Sequence, residues 1–130
     1  MKFLKDISCW QELSNDVTCA DCLEAMKLIP DKSVDLVLTD PPYGIANEVR
    51  ITRGRNTMKF KGPDITHNFG EWDKFASIDD FMKWTFPWVC EASRVLKEGG
   101  MFISYFDRDK INFLSQFLQR MNYKTIGAIN

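Results

Sequence analysis

Apolar positions along the chain repeat with two different periods, which predict alternating strands and helices. Four short apolar runs predict strands, at residues 17–20, 34–39, 101–106 and 123–129. Three stretches in which apolar residues recur every three or four positions predict helices, which start at Asp21, Ser77 and Asp107. This alternation predicts an α/β fold with a mostly parallel sheet and covering helices.

Local signals sharpen the boundaries of these elements. Asp21 and Ser77 are each followed three residues later by an acidic residue, a spacing typical of a capped helix start. Pro87 lies within the second helical stretch and predicts a kink or a break, because proline lacks the N–H that the helix ladder needs. Gly99 and Gly100 predict the end of that helix and the turn into the next strand.

The strand at 34–39 leads into the most distinctive residues of the chain. It contains Leu-Val-Leu in an unbroken row, which predicts a strand buried on both faces of a parallel sheet. Asp40 to Tyr43 follow it directly, and Asp107 follows the strand at 101–106, where we expect it to cap the third helix. Because ligands of parallel α/β sheets bind at the carboxyl ends of the strands, these positions are candidates for a site.

Residues 45–76 show no clear period and predict a long loop, which in a compact domain is usually functional or mobile. Between positions 48 and 61 one acidic residue, Glu48, stands against five basic ones, Arg50, Arg53, Arg55, Lys59 and Lys61. The whole chain has a net charge of −1, so the remainder is acidic. This distribution indicates a face for an anion, although a loop kept soluble by its charges gives the same pattern.

Length and composition limit the class of protein. The 130 residues, of 15.1 kDa, are expected to form one domain, and 45% apolar with 27% charged residues excludes a disordered chain. No apolar run approaches the roughly 18 residues that span a bilayer, and the N-terminus carries charge where a signal peptide is apolar. We therefore expect a cytoplasmic protein with no membrane partner and with four reduced cysteines.

The sequence Asp40-Pro41-Pro42-Tyr43 carries the strongest chemical signal. Average composition produces it by chance in about 10⁻³ of chains of this length. A rigid turn explains the prolines but not Tyr43. The amine of a nucleobase is a poor nucleophile, because its lone pair is delocalised into the ring. Acceptors at the Asp40 carboxylate and the Pro41 carbonyl would draw that nitrogen towards tetrahedral geometry and stabilise the positive charge that develops as it attacks a methyl group.

Other residues fit a base that has been taken out of a DNA duplex. Tyr43 would stack on the base, and the basic residues of the loop would hold the phosphates around it. Trp72, near the end of the loop, is a further candidate for the lining of the base pocket. Trp84 and Trp88 do not discriminate, because aromatic residues at helical spacing usually belong to the core. The expected partner is double-stranded DNA.

The chain resembles the amino-group DNA methyltransferases that use S-adenosylmethionine, in the permuted order in which the catalytic motif comes first. The resemblance covers residues 20–24, 30–36, 40–44, 71–73 and 94–100. It implies a partial doubly wound, Rossmann-like sheet whose catalytic residues are Asp40, Pro41, Pro42 and Tyr43. It also implies that Asp21 and Cys22 bind the cofactor near its adenine, although Asp21 serves equally well as a plain helix cap. Asp at position 40 favours adenine N6 as the target, with cytosine N4 second.

One departure from the family pattern concerns the cofactor turn. The family binds the methionine end of the cofactor with a Gly-rich turn, typically Phe-x-Gly-x-Gly, whereas this chain has no glycine before Gly44. In the permuted order, that turn and the target-recognition segment follow the catalytic part. We therefore expect residues 1–130 to be the N-terminal part of a methyltransferase, with weak cofactor binding and no turnover unless a complementary C-terminal half or second subunit is present.

Three alternatives remain beside this interpretation. Cys19 and Cys22 form a C-x-x-C at a helix start, as in thioredoxin-like redox sites, and Cys9, Cys90 or His67 could complete a zinc site. A second C-x-x-C is missing, so no metal is expected, and the H-x-E motif of a zinc deaminase is missing as well. The third alternative is a catalytically inactive fragment that binds DNA or a partner protein.

Overall fold

The computed structural model describes residues 1–44, 49–51, 65–67 and 73–127. The described part contains three strand pairs, three α-helices and two 3-10 helices, at Leu4–Asp6 and Trp10–Leu13. The strands are β1 (Lys2–Phe3), β2 (Thr18–Cys19), β3 (Val34–Thr39), β4 (Val49–Ile51), β5 (Ile65–His67) and β6 (Leu96–Ser104). The helices are α1 (Cys22–Met26), α2 (Ile78–Val95) and α3 (Ile111–Arg120). The pairs β1–β2 and β3–β6 are parallel, and β4–β5 is antiparallel. The predicted α/β class is confirmed.

Strands β3 and β6 form the parallel pair that carries the motif. Thr39, the last residue of β3, lies opposite Ser104, the last residue of β6. Side chains alternate between the two faces of a strand. The inner face packs on the helices, since the ring of Phe102 stacks on that of Trp88 in α2 with 6.3 Å between centroids. Because Thr39 and Ser104 lie opposite each other, both strands end at the same edge of the sheet, where the residues after them meet.

The outer face of the β3–β6 pair is apolar and open to solvent. Its four large side chains are between 42% and 64% exposed: Leu36, Leu38, Met101 and Ile103. The prediction that residues 34–39 are buried on both faces is therefore wrong. Within the described part of the chain, the helices pack on the inner face only. The apolar row of β3 is typical of a strand covered on both faces, but here it is covered on one.

The core lies between the helices and the inner face of β6. Trp88, Val89 and Leu114 form a buried cluster, against which Phe102 and Phe106 pack. The helical stripe predicted for the second helix is confirmed, because buried residues of α2 recur every three or four positions, at Phe81, Met82, Thr85, Trp88, Val89, Ala92 and Val95.

Side chains cap the helices much as the sequence predicts. The Asp21 carboxylate accepts hydrogen bonds from two N–H groups of the first turn of α1, at 2.9 and 3.3 Å. The Ser77 hydroxyl accepts the N–H of Asp80 at 3.1 Å and so caps α2. Asp107 also acts as a cap, at 3.0 and 3.2 Å, but of the turn at 108–110, because α3 itself begins at Ile111.

Helix α2 continues through Pro87, so of the predicted kink or break the break is wrong, and the kink stays a prediction. The missing proline N–H would have bonded to the carbonyl of Lys83. Both residues lie on the exposed side of the helix, where water can bond to that carbonyl.

Gly99 and Gly100 do not end helix α2, contrary to the prediction. The helix ends at Val95, and both glycines lie within β6. The pairing of β3 with β6 is interrupted there by a bulge, in which Gly99 has a φ of +78°. Glycine adopts this left-handed conformation without a steric penalty, so Gly99 and Gly100 mark a bulge in β6 and not a helix end.

Two predictions about irregular segments also need correction. Residues 45–76, predicted as a loop, include the β4–β5 pair. Residues 123–127 form no strand, and 128–129 lie outside the described residues. The Tyr123 N–H instead bonds back to the Leu118 carbonyl at 3.0 Å, which closes the end of α3.

We expect Leu114→Ala to lower the free energy of unfolding by about 2–5 kcal/mol, because Leu114 is 2% exposed and its loss leaves a cavity beside Trp88. Phe113→Ala on the same helix is the matched control, since Phe113 is 49% exposed and should cost much less. Urea denaturation followed by tryptophan fluorescence measures both. Equal losses would contradict the placement of the core.

Candidate functional site

The Asp-Pro-Pro-Tyr motif leaves the sheet at its carboxyl edge. The Tyr105 N–H donates to the Thr39 carbonyl at 2.9 Å, which extends the β3–β6 ladder to the residue before the motif. Asp40 is exposed, Pro41 is buried, and the two residues after them are half-buried. The sheet thus presents a carboxylate to solvent on a backbone that two prolines make rigid.

Tyr43 contacts the carboxylate of the same motif. Its hydroxyl donates a hydrogen bond to Asp40 Oδ1. Partial burial of the phenol, together with the hydrogen bond to Asp40 and its negative charge, raises the pKa of Tyr43 to about 12. A phenol of ordinary pKa is already protonated at neutral pH, and the raised pKa of Tyr43 extends this donor state, which orients the Asp40 carboxylate, to higher pH.

A cavity of about 260 Å³ opens beside Asp40, between α1, α2 and β3. Its lining consists of Cys22, Met26, Val37, Thr39, Asp40, Pro41, Pro42, Trp84, Trp88 and Ala92. The structure therefore brings three of the four predicted catalytic residues to one cavity. The fourth, Tyr43, is hydrogen-bonded to Asp40. The volume lies slightly below the roughly 300–1,000 Å³ of typical ligand sites, which suits one ring system better than a whole nucleoside cofactor.

The lining of this cavity fits the adenine ring of S-adenosylmethionine. Trp84 and Trp88 supply aromatic surface to this lining, on which a flat ring can stack. The lining contains no basic side chain, so it does not fit the carboxylate of the cofactor's methionine end.

Of the two residues predicted to bind the cofactor, Cys22 lines the cavity and Asp21 caps α1 next to it. Burial raises the pKa of the Cys22 thiol, and the negative charge of Asp21 raises it further. A redox-active C-x-x-C needs a lowered pKa, so this environment argues against the redox alternative.

The predicted DNA contacts lie largely outside the described residues: Arg53, Arg55, Lys59, Lys61 and Trp72. Arg50 belongs to β4, where it pairs with Thr66 of β5. The DNA contacts of all six residues stay a prediction.

The described residues contain neither a cluster of metal ligands nor a membrane-spanning helix. No three of their His, Cys, Asp and Glu side chains come together as a metal site, and no helix among them combines the length and the apolar character needed to cross a bilayer. Cys9, Cys19, Cys22 and Cys90 are free thiols.

Sequence reasoning missed Trp84, Trp88 and Met26 as parts of the cavity wall. Their spacing is helical, and a helix face that lines a cavity has the same period as one that packs in a core. The sequence contains no signal that distinguishes the two.

The chain is similar in sequence to known DNA methylases. The DNA methylase family model (N6_N4_Mtase) matches residues 34–130. The chain is 36% identical over 86 residues to the type II methyltransferase M.HinfI of Haemophilus influenzae and 30% identical over 105 residues to M.BamHI of Bacillus amyloliquefaciens. It is 27% identical over 110 residues to M2.MboI of Moraxella bovis. These matches cover 66%, 80% and 84% of this chain but 22%, 20% and 37% of the relatives.

We expect Asp40→Asn to lower the pKa of Tyr43 from about 12 towards its ordinary value of 10.0, because the carboxylate charge no longer disfavours the phenolate. Burial is retained, so the pKa stays above the ordinary value. NMR titration of ¹³C-labelled tyrosine measures the change, and Tyr43→Phe assigns the signal. Asp79→Asn, an exposed site on α2, is the control. An unchanged pKa in Asp40→Asn would contradict the contact.

Proposed function

The chain belongs to the DNA methylase family, and we propose that it supplies the catalytic motif for methyl transfer from S-adenosylmethionine to the N6 amine of a flipped adenine in DNA. The observation that carries this proposal is the position of Asp40, exposed at the carboxyl end of β3 and on the wall of an aromatic cavity. Parallel α/β sheets bind their ligands at this edge.

Two acceptors would activate the amine. The Asp40 carboxylate accepts one N–H of the base, and the Pro41 carbonyl accepts the other. Pro41 is buried and its φ is locked by its ring, so its carbonyl needs little reorganisation when the base arrives. Both bonds draw the nitrogen towards tetrahedral geometry, and the carboxylate stabilises the positive charge that grows on it.

Methyl transfer would be a single displacement. When bound, S-adenosylmethionine would supply a methyl group on a positively charged sulfur, which would leave as a neutral thioether once the amine nitrogen takes the methyl group. Asp40 would accept the surplus proton of that nitrogen. The Tyr43 hydroxyl, at the edge of the phenol ring, donates to the Asp40 carboxylate. The face of the ring stays available to stack on the base.

Adenine is the proposed base and cytosine N4 the alternative. Both bases present an exocyclic amine with two N–H groups, so the same pair of acceptors serves either. Asp40 favours adenine through the resemblance of its motif, whereas the family as a whole includes N6 and N4 enzymes. A duplex DNA substrate fits the basic segment from Arg50 to Lys61, and a cytoplasmic location fits such a substrate.

Full activity, in this proposal, needs a second polypeptide segment that holds the methionine end of the cofactor. The chain spans well under half of the relatives' length. The aromatic cavity offers that carboxylate no cation. The exposed outer face of the β3–β6 pair is an apolar surface on which such a segment, a complementary C-terminal half or a second subunit, would pack.

A second candidate function is binding of DNA or a partner without catalysis. The same open apolar face favours it, because contiguous exposed apolar surface usually marks an interaction site. Methyl transfer itself discriminates the two candidates.

We expect a chimera in which this chain replaces its matching region in M.HinfI to transfer tritium from labelled S-adenosylmethionine to unmethylated plasmid DNA. Nucleoside digestion and mass spectrometry should place the label in N6-methyladenine. Asp40→Ala should reduce the rate by about 10²-fold or more, because one of two transition-state acceptors is lost.

Asp79→Ala, exposed on α2, is the matched control for this experiment and should leave the rate unchanged. Label in N4-methylcytosine would show that cytosine, and not adenine, is the target base. Full transfer by Asp40→Ala would overturn the proposed role of the motif, and DNA binding without transfer by the chimera would favour the second function.

We expect Arg53→Gln with Arg55→Gln to weaken DNA binding and to flatten its salt dependence. The slope of log Kd against log salt should fall by about 1.8, which corresponds to two phosphate contacts. Lys83→Gln with Lys97→Gln, at two exposed positions, is the control double variant. Gel shifts between low and moderate salt measure the slopes, and equal slopes for both double variants would contradict the basic segment as the DNA contact.

A further inference from the structure

Two side chains of opposite charge hold the peptide group between Tyr43 and Gly44 at both of its ends. Its carbonyl oxygen, on Tyr43, accepts a hydrogen bond from Lys110 Nζ at 2.8 Å. Its N–H, on Gly44, donates to Asp73 Oδ1 at 2.6 Å. A cation at the oxygen and an anion at the N–H match the dipole of the amide, so both contacts stabilise one orientation of this peptide plane.

Both charged groups are shielded from water. Asp73 is 2% exposed. Lys110 and Asp107, which lie 3.2 Å apart, are each 18% exposed. The Lys110 ammonium also lies 5.3 Å from the centre of the Phe81 ring, within cation–π range. Charge-assisted hydrogen bonds are stronger in such surroundings, so the two contacts restrain the peptide more firmly than surface contacts would.

Gly44 is the residue that permits this peptide orientation. Its φ is +65°, in the left-handed region that glycine adopts readily. A Cβ at this position would lie 3.0 Å from a ring carbon of Phe81 and 3.2 Å from one of Phe75. The backbone conformation and the tight packing therefore both favour glycine directly after the motif.

We infer that Lys110 and Asp73 are positioning residues for the catalytic motif, because the peptide they hold directly follows Tyr43 and fixes its side chain against Asp40. Release of either end allows rotation about the bonds that flank this peptide, and the Tyr43 hydroxyl then leaves the carboxylate. The inference rests on the proposed function, since it assigns the two residues to the geometry of the proposed acceptor site.

Residue-specific amide hydrogen exchange of the 130-residue chain, followed by NMR, tests the inference. Lys110→Met keeps the apolar stem and removes the ammonium, without touching the atoms that bond to the Gly44 N–H. We expect exchange at Gly44 to become about tenfold faster, the ring signals of Tyr43 to shift, and exchange at Val89 in the core to stay unchanged. Lys83→Met, an exposed lysine on α2, is the matched control and should change none of these.

The conservative variants separate positioning from general stability. Lys110→Arg keeps a cationic donor and should preserve slow exchange at Gly44, and Lys110→Gln gives the same comparison with a neutral donor if Lys110→Met does not fold. Asp73→Asn keeps an acceptor without the charge and should accelerate exchange at Gly44 less than Lys110→Met accelerates it. Parallel acceleration at Gly44 and Val89, or no acceleration at Gly44, would overturn the inference.

Methyl transfer by the M.HinfI chimera provides the functional readout. Lys110→Met should lower kcat about tenfold or more and leave KM for S-adenosylmethionine near its parent value, because the acceptors and not the cofactor cavity are displaced. An unchanged kcat would overturn the inference and leave the proposed function intact. Faster exchange at Gly44 with no transfer by the parent chimera would support the positioning contacts and count against the proposed function.

Discussion

The parallel pairing of β3 with β6 is the constraint on which the candidate site depends. It brings two strand ends to one edge and sets the face on which Val37 and Thr39 meet the cavity. A shift of the register by one residue would turn these side chains to the outer face and withdraw Asp40 from the cavity wall. The pairing is itself held by the apolar cluster around Trp88 and Leu114, which anchors α2 and α3 on the inner face.

The helices of the described structure cover one face of this pair, and that asymmetry bears directly on function. The inner face contributes Val37 and Thr39 to the wall of the aromatic cavity, and Asp40 follows directly at the strand end. The outer face presents apolar side chains such as Leu36 and Ile103 to solvent. Relatives that are several times longer than the matched region contain additional chain that could cover a face of this kind. The same half of the fold thus carries the proposed acceptors of the amine, and in the proposed function residues outside it hold the charged end of the cofactor.

The motif combines rigidity with chemistry in a short segment. Pro41 is locked by its ring and by burial, whereas Asp40 remains exposed and is oriented by Tyr43. The Tyr43 phenol is a donor across the neutral range, as any tyrosine is, and its raised pKa extends the contact to higher pH. The charged side chains of Asp73 and Lys110 hold the peptide group between Tyr43 and Gly44. These two contacts restrain the backbone at the end of the motif.

The sequence by itself determined what depends on neighbouring residues: the helix caps at Asp21 and Ser77, the apolar stripe of α2 and the residue types of the motif at Asp40. Contacts between distant residues were decided by the tertiary structure. Lys110 lies 67 positions from Tyr43 along the chain, and no local period or motif encodes their contact. The bulge at the two glycines of β6 and the open outer face were missed for the same reason. Pairing register and solvent exposure depend on which distant surfaces meet, and that is settled only when the whole chain packs.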